Sequence, residues 1–300
     1  MPSNINSRNK NSSRAFSLIE ISMVILIIGI LIAGIAKGVD LYQETKLITA
    51  RTLTQNSRVA RIADLVAWFE PTAENVFSIG TTAFTDIRNI NNNQQINRWK
   101  DSNALSLNRL DATQTNASNQ PRVVIDNSVM LPVINFRNSQ AQFLNLPDGT
   151  VPFGNSPYSV IIVSKIAGFG TFGILGSGTY GTNNSTNAFR HSGDGTFVNY
   201  WWSLDIYSSA GSMRINRFQI VTTTYDLSNR RIYVDGALSR TLASSNRAST
   251  RFSNTIGTTN GNEYMNGDIA EIIIYQRAIS DNERRDIENY LAKKWSIRIS

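Results

Sequence analysis

Two groups of side chains in this 300-residue chain stand where they could do chemistry. The first is Glu20, a carboxylate at the front of the apolar run Ile21 to Ala36, in which Ser22 is the only polar side chain. An unpaired acid in hydrocarbon costs a few kcal/mol, so Glu20 calls for a positive partner rather than for a substrate. The second group is Phe189-Arg190-His191-Ser192-Gly193-Asp194-Gly195, followed closely by Tyr200-Trp201-Trp202. On a strand Tyr200 and Trp202 share one face while Trp201 takes the other. One face must serve a core; the other could offer aromatic rings to the apolar side of a sugar. His191, Tyr200 and Trp202 are the candidate ligand residues, with plain core or subunit packing as the alternative.

Several chemistries are excluded by what the chain lacks. His191 is the only histidine and there is no cysteine, so a histidine triad, a multi-histidine metal site and a thiolate nucleophile have no members to build from. The nearest pair of strand acids is Asp268 and Glu271, whose spacing of three predicts opposite faces of a regular strand. Glycoside hydrolysis needs two carboxyls about 5 Å or about 6.5–9.5 Å apart. No catalytic residue, cofactor or metal is therefore expected. Gly193-Asp194-Gly195 and Asp148-Gly149 could hold Ca²⁺, but an Asp-Gly pair is first of all a turn.

The elements that would position these residues follow from periodicity. Phe16 to Ala36 would make a helix roughly 31 Å long, matching a hydrocarbon core of about 30 Å. Val59, Ile62, Ala63 and Val66 continue at helical spacing and no proline intervenes before Glu70, so one helix is predicted from about Ser17 to near Asp64. Gly29, Gly34 and Gly38 are its weak points, suited either to close helix approach or to ordinary tolerance in a membrane helix. Arg8, Lys10 and Arg14 flank the run and favour a cytoplasmic N-terminus. From Leu65 onward, short runs such as Val123-Val124-Ile125, Tyr158 to Val163, Phe218 to Val221 and Ile232-Tyr233-Val234 alternate with Gly, Asn, Ser and Asp clusters. Asp235-Gly236 predicts a type I′ hairpin, and Ile269 to Tyr275 a central strand covered on both sides. Many short strands with such punctuation imply a sandwich or jelly roll. Ser280-Asp281-Asn282-Glu283 is a capping box opening a terminal helix with Ile287, Tyr290 and Leu291 on its apolar face and Lys293-Lys294 in its last turn, where the helix dipole favours cations.

The formal charge is +7, of which Arg8, Lys10 and Arg14 supply three, leaving +4 on residues 16–300 with scattered arginines. Nucleic-acid binding is not expected from that pattern.

Ala15-Phe16-Ser17-Leu18-Ile19-Glu20 ahead of an Ile/Leu/Val run resembles the prepilin signature of type IV pilins and type II secretion pseudopilins. The resemblance implies a leader of residues 1–15, cleavage by a prepilin peptidase between Ala15 and Phe16, methylation of the Phe16 amine, and pairing of Glu20 with that amine in a neighbouring pilin or pseudopilin subunit. The family usually has Gly before the cut, where this chain has Ala15. It further implies an inner-membrane, single-pass precursor that passes into a periplasmic or surface filament. The alternative is that the run serves only for export, Ala33, Gly34 and Ala36 being small residues near its end.

The later residues resemble the laminin G-like, concanavalin A-like jelly roll. The likeness lies in Leu65-Val66-Ala67-Trp68-Phe69, Arg98-Trp99-Lys100-Asp101-Ser102, Val133-Ile134-Asn135-Phe136, Tyr233-Val234-Asp235-Gly236 and Thr255-Ile256-Gly257. It continues in Asn266 to Tyr275 and closes in Ala278 to Trp295, its most specific part, and covers most of Leu65 to Ile297. It implies ligand or carbohydrate recognition; the E-x-D-x-x-E run of the superfamily's hydrolases is missing. The expected fold is α+β: residues 16–64 a helix with 16–36 transmembrane, residues 65–300 an all-β jelly roll closed by a short helix. The expected function is a minor pilin or pseudopilin that displays a lectin-like head. The alternative is an exported or anchored lectin or glycoside hydrolase.

Overall fold

The structure, a computed structural model, describes residues 17–80, 82–83 and 92–300. Ala15 and Phe16, with the expected leader and cleavage point, lie outside the described residues. The chain divides into two units, Met1–Thr45 and Lys46–Ser300.

Helix α1 covers Leu18–Asn56. Its start is set locally: Glu20 Oε2 accepts the backbone N–H of Ser17 at 2.9 Å, and Ser17 Oγ accepts that of Ile19 at 3.4 Å. Ser17 and Glu20 thus form the two halves of a cap, an in-chain partner for the acid that the sequence reading did not consider. Among the described residues of the first unit the large apolar side chains are exposed, from 45% at Val39 to 89% at Leu18. This is the one helix among the described residues long and apolar enough to cross a membrane.

The second unit begins with the end of that helix, which stops at Asn56 rather than near Asp64. The hydroxyls of Thr52 and Thr54 bond back to the carbonyls of Ile48 and Ala50, each at 3.0 Å, in competition with the backbone ladder. A 3₁₀ turn at Val59–Arg61 follows, and Asp64, at φ 63°, swings the chain into the strand Leu65–Phe69. Val59 and Ile62 are buried even so, which explains the misleading periodicity: it marks a packed segment, not a helix.

Two antiparallel sheets make the sandwich. In the first, Ala237–Ala243, Asn229–Val234, Gln219–Tyr225, Tyr158–Ile166, Gly267–Tyr275, Leu131–Phe136, Arg122–Asp126 and Gln94–Gln95 lie side by side, and Leu65–Phe69 also pairs with Gly267–Tyr275. The second runs from Ile206–Tyr207 through Phe197–Tyr200, Ala188–His191, Phe172–Gly176, Thr255–Ile256, Leu144–Asn145, Ala112–Thr113, Arg98–Trp99 and Phe77–Ile79 to Thr82–Ala83. All residues of Gly267–Tyr275 are buried, as expected of a central strand. The expected hairpin at Asp235-Gly236 is present, with φ of 47° and 85°. Between the sheets lies an aromatic core that includes Phe69, Trp99, Tyr158, Phe189, Trp201 and Tyr225.

Helix α2, Asp281–Trp295, opens on the complete Ser280/Glu283 capping box. Its Ile287, Tyr290, Leu291 and Trp295 pack on the outer face of the first sheet, against Trp68, Ile161, Val163 and Ile273, and Ala50 joins the same cluster. Under the helix sits a buried polar network. Lys294 Nζ lies 2.6 Å from Glu70 Oε2 and 3.1 Å from Glu271 Oε2, with all three side chains fully buried. It also donates to Thr54 Oγ1 at 2.9 Å. Glu271 accepts from Trp68 Nε1 at 2.7 Å, Tyr290 OH at 2.8 Å and Trp295 Nε1 at 2.9 Å. Burial alone would raise the Glu70 carboxyl, but Lys294 and Thr72 hold it below its usual range; burial, aided by Glu70, pushes Glu271 up. The two lysines of the last turn therefore differ: Lys293 is exposed, whereas Lys294 is, among the described residues, the cation paired with two buried carboxylates.

Candidate functional site

The outer face of the second sheet carries the site, and strand alternation decides who belongs to it. In Phe197–Tyr200 and the next two residues, Phe197 and Trp201 join the inner core, while Val198, Tyr200 and Trp202 form a separate outer cluster with Ala188 and Tyr180. In Ala188–His191, Phe189 joins the inner core. Arg190, one residue on, has its guanidinium 4.6 Å from the centroid of the Tyr200 ring, on the outer face.

His191 is therefore separated from Tyr200 and Trp202 by the sheet. It is 1% exposed, its Nε2 is 3.2 Å from Ser164 Oγ, and burial pushes its pKa down to about 3. A neutral imidazole held inside the sandwich cannot meet a ligand in solution. Tyr200 is also not a stacking surface: it is 2% exposed, with Arg190 over its ring. The half-buried aromatic of the three candidates is Trp202.

A short hairpin supplies the rest of the site. Thr258–Thr259 and Glu263–Tyr264 pair with each other and lie over Phe172–Gly176. They approach so closely that a Cβ on Gly173 would fall 2.3 Å from the Thr259 nitrogen and 2.5 Å from the Glu263 oxygen, so only glycine fits there. This places the Glu263 carboxylate in an ion pair with Arg190. Its other oxygen accepts from Tyr200 OH at 3.2 Å and from Thr259 Oγ1. Arg190 Nε is buried without a partner among the described residues. Tyr180, Tyr200 and Trp202 form an aromatic triangle with centroids 6.2–6.4 Å apart, and burial pushes the Tyr180 phenol up to about 12. Both phenols remain protonated at neutral pH, burial raising Tyr200 as well.

Trp202 and Ser203 adopt φ of 67° and 134°, a conformation that side chains rarely accept. Asp205 Oδ1 holds the turn by accepting the Trp201 N–H at 3.0 Å, and buried Arg230 donates to the Leu204 carbonyl. The strain lies beside a cleft of about 360 Å³ lined by Asn183, Arg190, Tyr200, Trp202, Ser203, Asp205, Asn260 and Glu263. That volume is at the small end of ligand pockets, about 300–1,000 Å³. Strained backbone of this kind clusters at binding sites because the fold must hold it in place.

The remaining sequence candidates go elsewhere. Asp268 and Glu271 do not face opposite ways: Ala270 is bulged out of register with Tyr158–Ile166, so both acids sit on the α2 side of the sheet. There Asp268 pairs with Lys165 and Asn135, and Glu271 with the Lys294 network. Asp194 Oδ1 is engaged by Thr196, as a turn requires, and among the described residues no cluster of acids or histidine suits a metal ion. Sequence reading missed Glu263 and the pairing role of Arg190. Their meeting depends on the hairpin lying across the sheet, for which Gly173 is the only local trace.

Residues 138–283 match the Laminin_G_3 family, described as the concanavalin A-like lectin/glucanases superfamily. No curated protein sequence matches the chain. Among solved structures, similarity extends to Trypanosoma rangeli sialidase in complex with a difluoro-KDN, with 13% identity, a TM-score of 0.50, and coverage of 77% of this chain and 33% of that one. The binding domain of botulinum neurotoxin serotype D/C gives 13% identity and a TM-score of 0.49, covering 78% of this chain and 53% of that one. The Ruminococcus gnavus IT-sialidase CBM40 gives 16% identity and a TM-score of 0.37, covering 43% of this chain and 81% of that one. The chain spans about a third of the length of the Trypanosoma rangeli sialidases it matches. The chain thus carries a long N-terminal helix followed by a β-sandwich jelly-roll domain, of which residues 138–283 match that family, and a C-terminal helix.

Proposed function

We propose that this chain is a lectin-like recognition protein, its jelly-roll head binding carbohydrate through the Trp202 cleft and its N-terminal helix holding it at a membrane. The observation that carries this reading is the strained, half-exposed Trp202 at the mouth of a cleft rich in amide, hydroxyl and carboxylate groups. An aromatic face beside planar polar side chains matches a sugar, which has apolar CH surfaces and a rim of hydroxyls. The role is binding rather than hydrolysis: both Glu263 oxygens are engaged, and Asp268 and Glu271 lie buried, Asp268 paired with Lys165 and Glu271 beneath α2. A glycan array probed with the full chain in detergent micelles tests it. Binding that Trp202→Ala abolishes supports the reading; an array blank for the wild type refutes it.

A second reading concerns the helix. The Ala15-Phe16 to Glu20 signature and the exposed apolar surface of Leu18 to Val39 favour a pilin-like subunit, made as an inner-membrane precursor and assembled through that helix with other pilin or pseudopilin subunits. Mass spectrometry of the mature N-terminus separates the possibilities. Methylated Phe16 supports processing by a prepilin peptidase, a start after Ala36 supports an export signal, and an intact N-terminus supports a plain anchor.

A further inference from the structure

The charges of the cleft narrow its ligand class. The charged side chains that line it are Arg190, Asp205 and Glu263, one cation against two carboxylates. The cation is already committed, ion-paired with Glu263 and stacked over Tyr200. A ligand carboxylate would therefore meet the unpaired oxygen of Asp205, behind which Arg230 lies buried, and, among the described residues, no lining cation that is free of a carboxylate. Hydroxyl groups meet the opposite situation. Asp205 keeps one oxygen beyond the one that accepts the Trp201 N–H, and Asn183, Ser203 and Asn260 bring neutral donors and acceptors to the same walls. Each carboxylate is acceptor-only, which suits the O–H donors of a sugar ring.

We infer that the cleft takes an uncharged, hydroxyl-rich sugar and discriminates against sugars that carry a carboxylate, with the Arg190–Glu263 ion pair as the specificity device. This rests on the recognition reading given above. Specificity of this kind comes as much from the repulsion of the wrong ligand as from the attraction of the right one.

The test uses the full chain in detergent micelles and calorimetric titration with lactose, maltose and cellobiose, set against 3′-sialyllactose and glucuronic acid. At least one neutral sugar should bind in a Trp202-dependent manner, with the acidic sugars weaker by about tenfold or more, the equivalent of one charge-assisted hydrogen bond. Glu263→Gln frees Arg190 and should shift the preference toward the acidic sugars by about tenfold. Asp205→Asn keeps the Trp201 contact, leaves the ion pair untouched and should shift the preference in the same direction, so the idea remains testable if Glu263→Gln fails to fold. Trp202-dependent binding that favours the acidic sugars in the wild type overturns this inference and leaves the recognition reading standing. An absence of Trp202-dependent binding to any sugar overturns both.

Discussion

Replacing Lys294 by Met removes the cation that, among the described residues, pairs with both carboxylates of its buried site. The ammonium lies 2.6 Å from Glu70 and 3.1 Å from Glu271, and none of the three side chains reaches solvent. At an effective dielectric of about 20 the two attractions come to about 6 and about 5 kcal/mol. Much of that is offset by dehydration of the charges, and removing one partner of a buried pair typically costs about 3–5 kcal/mol. For a unit of the size of Lys46–Ser300, each kcal/mol moves the melting temperature by about 2–4 °C, so a drop of roughly 6–20 °C is expected. Thermal unfolding of the full chain, followed by near-UV circular dichroism, reads it directly, because Trp68 and Trp295 both bond to Glu271. Lys293→Met, one residue away and exposed, is the control. Without Lys294 the folded-state pKa values of both acids rise above their unfolded values, so stability is retained at low pH and lost as pH rises. The deficit should therefore shrink toward pH 4. A Lys294→Met melt within about 2 °C of the Lys293→Met melt would refute the reasoning.

His191 has a folded pKa of about 3 against an ordinary 6.5, so the unfolded chain binds its proton first and stability falls as pH drops below about 6.5. Between pH 7 and pH 4.5 this amounts to about 2–3 kcal/mol, and urea unfolding of His191→Gln should show that much less acid sensitivity than the wild type. Gly173→Ala pushes a methyl into the backbone of the Thr258–Tyr264 hairpin, costing about 1–3 kcal/mol and weakening sugar binding as Glu263 is displaced. At Glu20, Ala removes both charge and cap while Gln keeps the cap. Membrane insertion should survive both, and filament incorporation, if pairing with a neighbour's amine drives it, should be impaired in both. Normal incorporation of Glu20→Gln would assign Glu20 to capping alone.

The fold was largely legible because its signals are local. Turn chemistry at Asp235-Gly236, the Ser280/Glu283 box and the unbroken apolar run of Ile269 to Tyr275 each act over a few residues, and each reappears in the structure. The errors arose where tertiary packing overrode a period. Val59 and Ile62 are spaced like a helix but buried in a turn, and the Ala270 bulge brings Asp268 and Glu271 to the same side. The candidate site was half visible. Alternation correctly separates Trp201 from Trp202, but nothing in the order of residues tells that Arg190 covers Tyr200, that His191 faces inward, or that Glu263 crosses the sheet to reach its partner. Likewise Lys294 reads as a cation placed for the helix dipole, and only the position of Glu70 and Glu271 beneath it shows its ion pairs.

The buried tie under α2 also orders events during synthesis. Trp68 and Glu271, which share a hydrogen bond, are 203 residues apart, and Glu70 waits for Lys294 in the final helix. The opening strand Leu65–Phe69 has no sheet neighbour until Gly267–Tyr275 emerges from the ribosome. The sandwich is consequently sealed from its C-terminal end. A nascent chain cannot close this sandwich before Gly267–Tyr275 and α2 have emerged, and loss of α2 strands an unclosed core.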